Sequence, residues 1–84
     1  MCKIKCRVEE GLVSQEKIVS FQTADGNVEQ VPVYIDLVDE TPLQPSFRAD
    51  IVGRNGEKVL IELPNESSSG RWRYIVNASE LLEA

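Results

Sequence analysis

Apolar and polar positions alternate along most of this chain. Val19 and Phe21 form one stripe of period two. Val31, Val33 and Ile35 form another, followed by Phe47, Ala49 and Ile51, by Val59, Ile61 and Leu63, and by Trp72, Tyr74 and Val76. Near the start, Cys2, Ile4, Cys6 and Val8 alternate with Lys3, Lys5 and Arg7. A two-residue period marks half-buried β-strands, because successive side chains point to opposite faces. Two turn signals join the stripes. Ala24-Asp25-Gly26-Asn27 separates residues 17–23 from 28–35, and Asn55-Gly56 separates 47–53 from 58–63. Asp-Gly and Asn-Gly supply the positive φ angles of a tight primed turn, so each predicts an antiparallel hairpin.

Six segments follow. Strand one covers about residues 2–9, and a loop is expected around Glu10-Gly11-Leu12-Val13-Ser14. The Asp25-Gly26 hairpin gives strands two and three. Pro32 has no N–H for a ladder, so that part of strand three is an edge or a bulge. Residues 36–46 form the longest connection, kept irregular by Pro42 and Pro45. The Asn55-Gly56 hairpin gives strands four and five, 64–70 is a polar loop, and strand six covers 71–76. Residues 77–82 read as one helical turn, with Asn77 as N-cap and Glu80 in a capping-box position. Phe21, Val33, Ile51, Ile61 and Val76 are expected to be buried together. Short twisted strands close most economically into a barrel, which removes exposed edges. Leu81 or Leu82 would plug one end. The predicted fold is thus all-β: one domain over 1–84, a small, strongly twisted antiparallel barrel of five to six strands with a short C-terminal helical turn.

The stretch from Ala49 through Gly53-Arg54-Asn55-Gly56 to Leu63-Pro64, then Ser69-Gly70-Arg71, Tyr74-Ile75-Val76 and Ser79-Glu80-Leu81, resembles the second half of small bacterial SH3-like barrels. In those, a hairpin ending in Leu-Pro precedes a polar loop, a strand and a one-turn helix. Glu10-Gly11-Leu12-Val13-Ser14 before a hairpin is also similar to small bacterial proteins of uncharacterised function. The resemblance implies an SH3-like fold and carries over no catalytic residue, because fold does not dictate function.

Composition narrows the chemistry. The 84 residues carry a net charge of −5, which opposes nucleic-acid phosphates and anionic membranes unless a basic patch is concentrated locally. A continuous positive groove around Arg48, Arg54, Arg71 and Arg73 would be such a patch. No apolar run approaches the roughly 20 residues of a membrane span. The charged start, Met1-Cys2-Lys3-Ile4-Lys5-Cys6, lacks the apolar core of a secretory signal, so a cytoplasmic location is expected. Histidine is absent, which removes the commonest general base and metal ligand. Two cysteines fall short of the four ligands of a zinc site. In an extended strand Cys2 and Cys6 lie about 13 Å apart, too far for a disulfide. No nucleotide-binding glycine pattern occurs. No catalytic residue, cofactor or metal is expected.

Two features remain as candidate sites. Arg71-Trp72-Arg73-Tyr74 interleaves cations with aromatics. In one reading Trp72 and Tyr74 are core or half-core and Arg71 and Arg73 are solvated or paired with acids of the chain; in a second, Arg71 and Arg73 contact an anion or an acidic protein partner. In another, the strand stacks bases, as single-strand binders do. The second feature is an outward stripe. If the apolar stripes point inward, then Ile18, Tyr34, Val52, Leu60 and Ile75 point outward; as a contiguous apolar patch they mark a partner surface or self-association, and otherwise they are plain scatter of surface apolars or the faces are assigned backwards. The expected role is a non-enzymatic protein-interaction or assembly module. The alternatives are nucleic-acid binding through Arg71–Tyr74 and small-ligand binding.

Overall fold

A computed structural model describes residues 1–82 and shows an all-β protein. Nine strands occur among these residues: β1 (Cys2–Lys5), β2 (Arg7–Glu10), β3 (Glu16–Gln22), β4 (Val28–Tyr34), β5 (Val38–Asp39), β6 (Ser46–Asn55), β7 (Lys58–Glu62), β8 (Arg73–Asn77) and β9 (Leu81–Leu82). They form two sheets rather than the closed barrel expected from the sequence. The larger sheet has the order β8-β7-β6-β1-β9, with β5 also on β6, and the smaller has the order β2-β3-β4. All the pairings are antiparallel.

The alternating stripes meet between the sheets. Ile4, Val19, Val31, Phe47, Val59, Ile61 and Val76 are fully buried, and Cys6, Phe21, Val33, Ala49, Leu63, Tyr74 and Leu81 nearly so. Phe21 of the small sheet lies 5.6 Å from the Phe47 ring and 5.4 Å from the Tyr74 ring, edge-on to the latter. Edge-to-face geometry sets the positive ring edge against the negative face and adds to the gain from burial.

The two hairpins form where the glycines stand, but by other turns than expected. At 24–26 only Gly26 has positive φ (88°). The Gly26 N–H donates to Thr23 O, and the Thr23 N–H donates to Asn27 O. That is a three-residue loop, a turn closed by one left-handed glycine. In the second hairpin Asn55 pairs with Lys58, so the turn is centred on Gly56-Glu57 rather than Asn55-Gly56. Only its first central residue has positive φ (62°), the pattern that demands glycine there.

Other boundaries also differ. The predicted first strand is two strands: β1 pairs with β6 and β2 with β3, and the chain crosses from one sheet to the other at Cys6. The long connection contains a 3-10 turn at Ile35–Leu37 and then β5, and this turn leaves Ile35 exposed. The C-terminal turn is a 3-10 turn confined to Ala78–Glu80. Asn77 makes no side-chain cap, and Leu81 and Leu82 continue as a strand on β1. The Asn77 side chain instead accepts from Lys58 Nζ at 2.7 Å. β8 starts at Arg73, so Trp72 lies outside the alternating strand and is exposed rather than in the core.

Ile51 also departs from the burial its stripe predicts. It pairs with the fully buried Ile61, yet it is 45% exposed. It lies where the core opens into a groove of about 460 Å³ shared with Met1, Cys2, Leu81 and Leu82. A bulge at Val52 shifts the register immediately after it. Alternation assigns a face but does not say where along a strand the covering sheet ends.

This pair gives a direct test. Ile61→Ala is expected to cost about 2–5 kcal/mol of stability, as in a closed core. Ile51→Ala should cost less than about 1 kcal/mol, as at an exposed position. Urea unfolding of the two variants checks both values, and similar losses would contradict the open end.

Candidate functional site

The tip of the β3–β4 hairpin is tied to the free edge of β8. The Ala24 N–H donates to the Ile75 carbonyl at 2.8 Å. Beside this junction lies an open cleft of about 400 Å³, lined by Asp25 and Asn27 from the hairpin tip, Glu29 from β4, Lys58 from β7, and Arg71 and Tyr74. Ile75 supplies an exposed apolar wall. A concave surface with an apolar element and a few convergent polar groups is the usual form of a binding site.

Tyr74 fixes the floor. Its ring is core, but its hydroxyl needs partners because an unpaired buried donor is costly. The Tyr74 O–H donates to Glu29 Oε1 at 3.1 Å and lies 2.7 Å from Ser67 Oγ and 2.9 Å from Ser69 Oγ. Ser69 also donates to Glu29 Oε1 at 3.0 Å. The Arg71 N–H donates to the nearly buried Ser67 Oγ, and the Ser67 N–H donates to Arg71 O. The polar loop 64–70 thereby folds over Tyr74, and Gly70, with φ 86°, makes its last turn. No buried side-chain polar atom lacks a partner among the described residues.

The network sets the charge of the cleft. The Arg71 guanidinium sits 4.8 Å from the centre of the Tyr74 ring, a cation–π contact. Among the described residues it makes no ion pair, whereas Arg73 is held by Glu62 at 2.9 Å. Hydrogen bonds from the Thr23 hydroxyl and the Asn27 N–H hold the Asp25 carboxyl below the usual range, and Arg71 adds a smaller effect. The opening thus presents Asp25 and Glu29 near Lys58 and Arg71.

The structure separates the residues singled out from the sequence. Leu60 and Ile75 are cross-strand partners on the outer face of the large sheet, and the bulged Val52 is beside them, before the Gly53–Leu60 pair. Val52 and Ile75 are exposed and Leu60 is half-buried. Ile18 and Tyr34 belong to the small sheet, so the five do not share one strand ladder. In the Arg71–Tyr74 segment, Tyr74 is buried while Trp72 is 49% exposed. The four arginines of the expected basic groove are dispersed: Arg48 lies opposite Lys3, Arg54 lines the open-end groove, Arg71 lines the cleft, and Arg73 is paired with Glu62. Asp25, Glu29 and Lys58 carry no signal of a site in the sequence, because their convergence depends on how the hairpin tip meets β8.

The cysteines are free thiols, Cys6 buried and Cys2 half-buried. Burial pushes the Cys6 thiol up to about 12, helped by the charge of Glu40. Burial also raises Cys2, whose thiol donates to Ala49 O at 3.3 Å. Among the described residues no three acidic or cysteine side chains cluster as a metal site would require. No family model, curated protein or solved structure matches the chain.

Two outcomes follow. Tyr74→Phe leaves the ring packed and removes the shared hydroxyl, so it should cost about 1–2 kcal/mol in urea unfolding; an unchanged midpoint would show that the network contributes nothing. The Cys6 pKa is raised from an ordinary value near 9, so the stability tied to its protonated thiol is intact below pH 9. It is lost as pH climbs from about 9 toward about 12. Wild type should therefore lose stability relative to Cys6→Ala across that window, and parallel pH profiles would refute the assignment.

Proposed function

We propose that this chain is a non-enzymatic protein-interaction module built on a small SH3-like β fold. The strand order supports the fold reading. The last strand returns to pair with the first, and the chain passes between the two sheets at Cys6. The observation that carries the functional reading is the continuity of the cleft with the outer face. Ile75 lines the cleft and also pairs with Leu60 beside Val52. A protein segment with an apolar residue against Ile75 and an acidic group at Arg71 matches this surface. Aromatic and arginine side chains dominate binding energy at interfaces, which makes the exposed Trp72 a further contact.

The alternatives draw less support. A base-stacking strand needs several exposed aromatics and free cations in a row; here Trp72 and Arg71 are available, but Tyr74 is buried, Arg73 is paired, and Asp25 and Glu29 flank Arg71 in the cleft. A small ligand would sit in the same cleft, which is open rather than enclosing. No described helix is long and apolar enough to cross a membrane, and a cytoplasmic location belongs to the proposal.

The test compares wild type with Ile75→Glu and Arg71→Glu as baits for cross-linked capture from the native host. Both side chains are exposed, so both variants should stay folded, with Arg71→Glu losing about 0.5–1 kcal/mol of its contact with the Tyr74 ring. A partner held by wild type and reduced roughly tenfold or more on both variants supports the proposal. Equal recovery on all three baits refutes this surface.

A further inference from the structure

β2 is an edge strand with no second ladder, although the 40–45 segment reaches its start, where the Cys6 N–H donates to Pro45 O and Gln44 Nε2 donates to Cys6 O. Arg7–Glu10 pairs with β3 through Arg7–Ser20, Val8–Val19, Glu9–Ile18 and Glu10–Lys17. Among the described residues no other segment makes a backbone hydrogen bond to these four residues. Arg7 and Glu9 are exposed and share one face of the strand, and neither makes an ion pair among the described residues. Val8 points the other way, toward the core, and is only half-buried.

We propose that β2 pairs antiparallel with β2 of a second copy of this chain, joining the two small sheets into one of six strands. A twofold axis perpendicular to the sheet keeps each residue on its own face, so opposed positions must share parity. The register centred on Val8 meets this condition. It sets Val8 against Val8 of the second copy on the core side. On the outer side it sets Arg7 of each copy against Glu9 of the other, so these charges become two cross-strand ion pairs. Opposite charges directly across a ladder stabilise it, and like charges oppose it. Centring on Glu9 would instead put two carboxylates face to face. A four-residue ladder is small, so the dimer is weak and concentration-dependent.

Charge reversal tests the register. Sedimentation equilibrium of the wild-type chain should show a reversible monomer–dimer equilibrium below about 1 mM. R7E sets carboxylate against carboxylate at both outer pairs, and E9R sets guanidinium against guanidinium. Each should raise the dissociation constant roughly tenfold or more, with the thermal melt of the monomer unchanged. The double variant R7E/E9R restores opposite charges and should dimerise like wild type. An equimolar mixture of R7E and E9R should form a heterodimer, although each variant alone stays monomeric. Leu60→Glu, on the other sheet, should leave the equilibrium untouched. A monomeric wild type at about 1 mM, or single variants that dimerise as well as wild type, would overturn the proposal. So would a dimer abolished by Leu60→Glu but kept by R7E.

Discussion

The position of Phe21 between Phe47 and Tyr74 is the constraint on which the rest depends. Among the described residues it is the one place where a large ring of the small sheet touches two rings of the large sheet. A single three-stranded sheet cannot bury its own apolar face and must use another layer. Val19, Val31 and Val33 supply that face, and Phe21 fixes its angle to β6 and β8. The hairpin tip that follows Phe21 is then close enough for the Ala24 N–H to reach Ile75 O. The cleft is a consequence of how the sheets are joined rather than an addition to a finished fold.

Tyr74 carries this consequence into polar chemistry. Its ring satisfies the core, and its hydroxyl imposes a requirement that phenylalanine would not. Ser67, Ser69 and Glu29 answer it from a loop and from the opposite sheet. That arrangement draws loop 64–70 across the end of the core and orients Arg71 over the ring. Glu29 Oε1 is thereby engaged on the inner side, while Arg71 keeps its charge free of an ion pair among the described residues. The engagement of Glu29 and the position of Arg71 in the cleft therefore both trace to Tyr74.

Most of the ladder could be read in the sequence because period-two alternation and glycine turns are local signals. The interior positions of β3, β4, β7 and β8 are those of the apolar stripes. Pro32 lies on an edge strand, and its carbonyl accepts from the Asn65 side chain, so its missing N–H falls on the side away from β3. The structure departs from the local pattern where a non-local fact decides. The alternation of 2–9 is unbroken although the chain changes sheets at Cys6, because both sheets need the same faces buried. Ile51 pairs with the buried Ile61 but lies beyond the covered part of the core, and Trp72 precedes the start of β8. Leu81 and Leu82 look helical in isolation, and they form a strand because β1 offers them an unpaired edge. The site was less legible still. Arg71 and Ile75 were visible as unusual residues, but Asp25 and Glu29 reach them only through sheet packing.

An open pair of sheets leaves edges that a closed barrel would not have, and each must be managed against unwanted pairing. The edge of β8 is partly covered where Ala24 bonds Ile75. The edge of β4 is closed by loop 64–70: the Ser68 N–H donates to Gln30 O, Asn65 donates to Pro32 O, and Pro32 itself has no donor. β9 is only two residues long. β2 has four residues, one strand ladder and a half-buried valine. Its charges keep indiscriminate strands away, since an apolar edge arriving there would strand Arg7 and Glu9 without partners. A strand carrying the same Arg-Val-Glu order in antiparallel register satisfies both. In the proposed dimer, the pattern that protects this edge from most sequences would also admit its own copy, with specificity from the charges and attraction from the backbone and Val8.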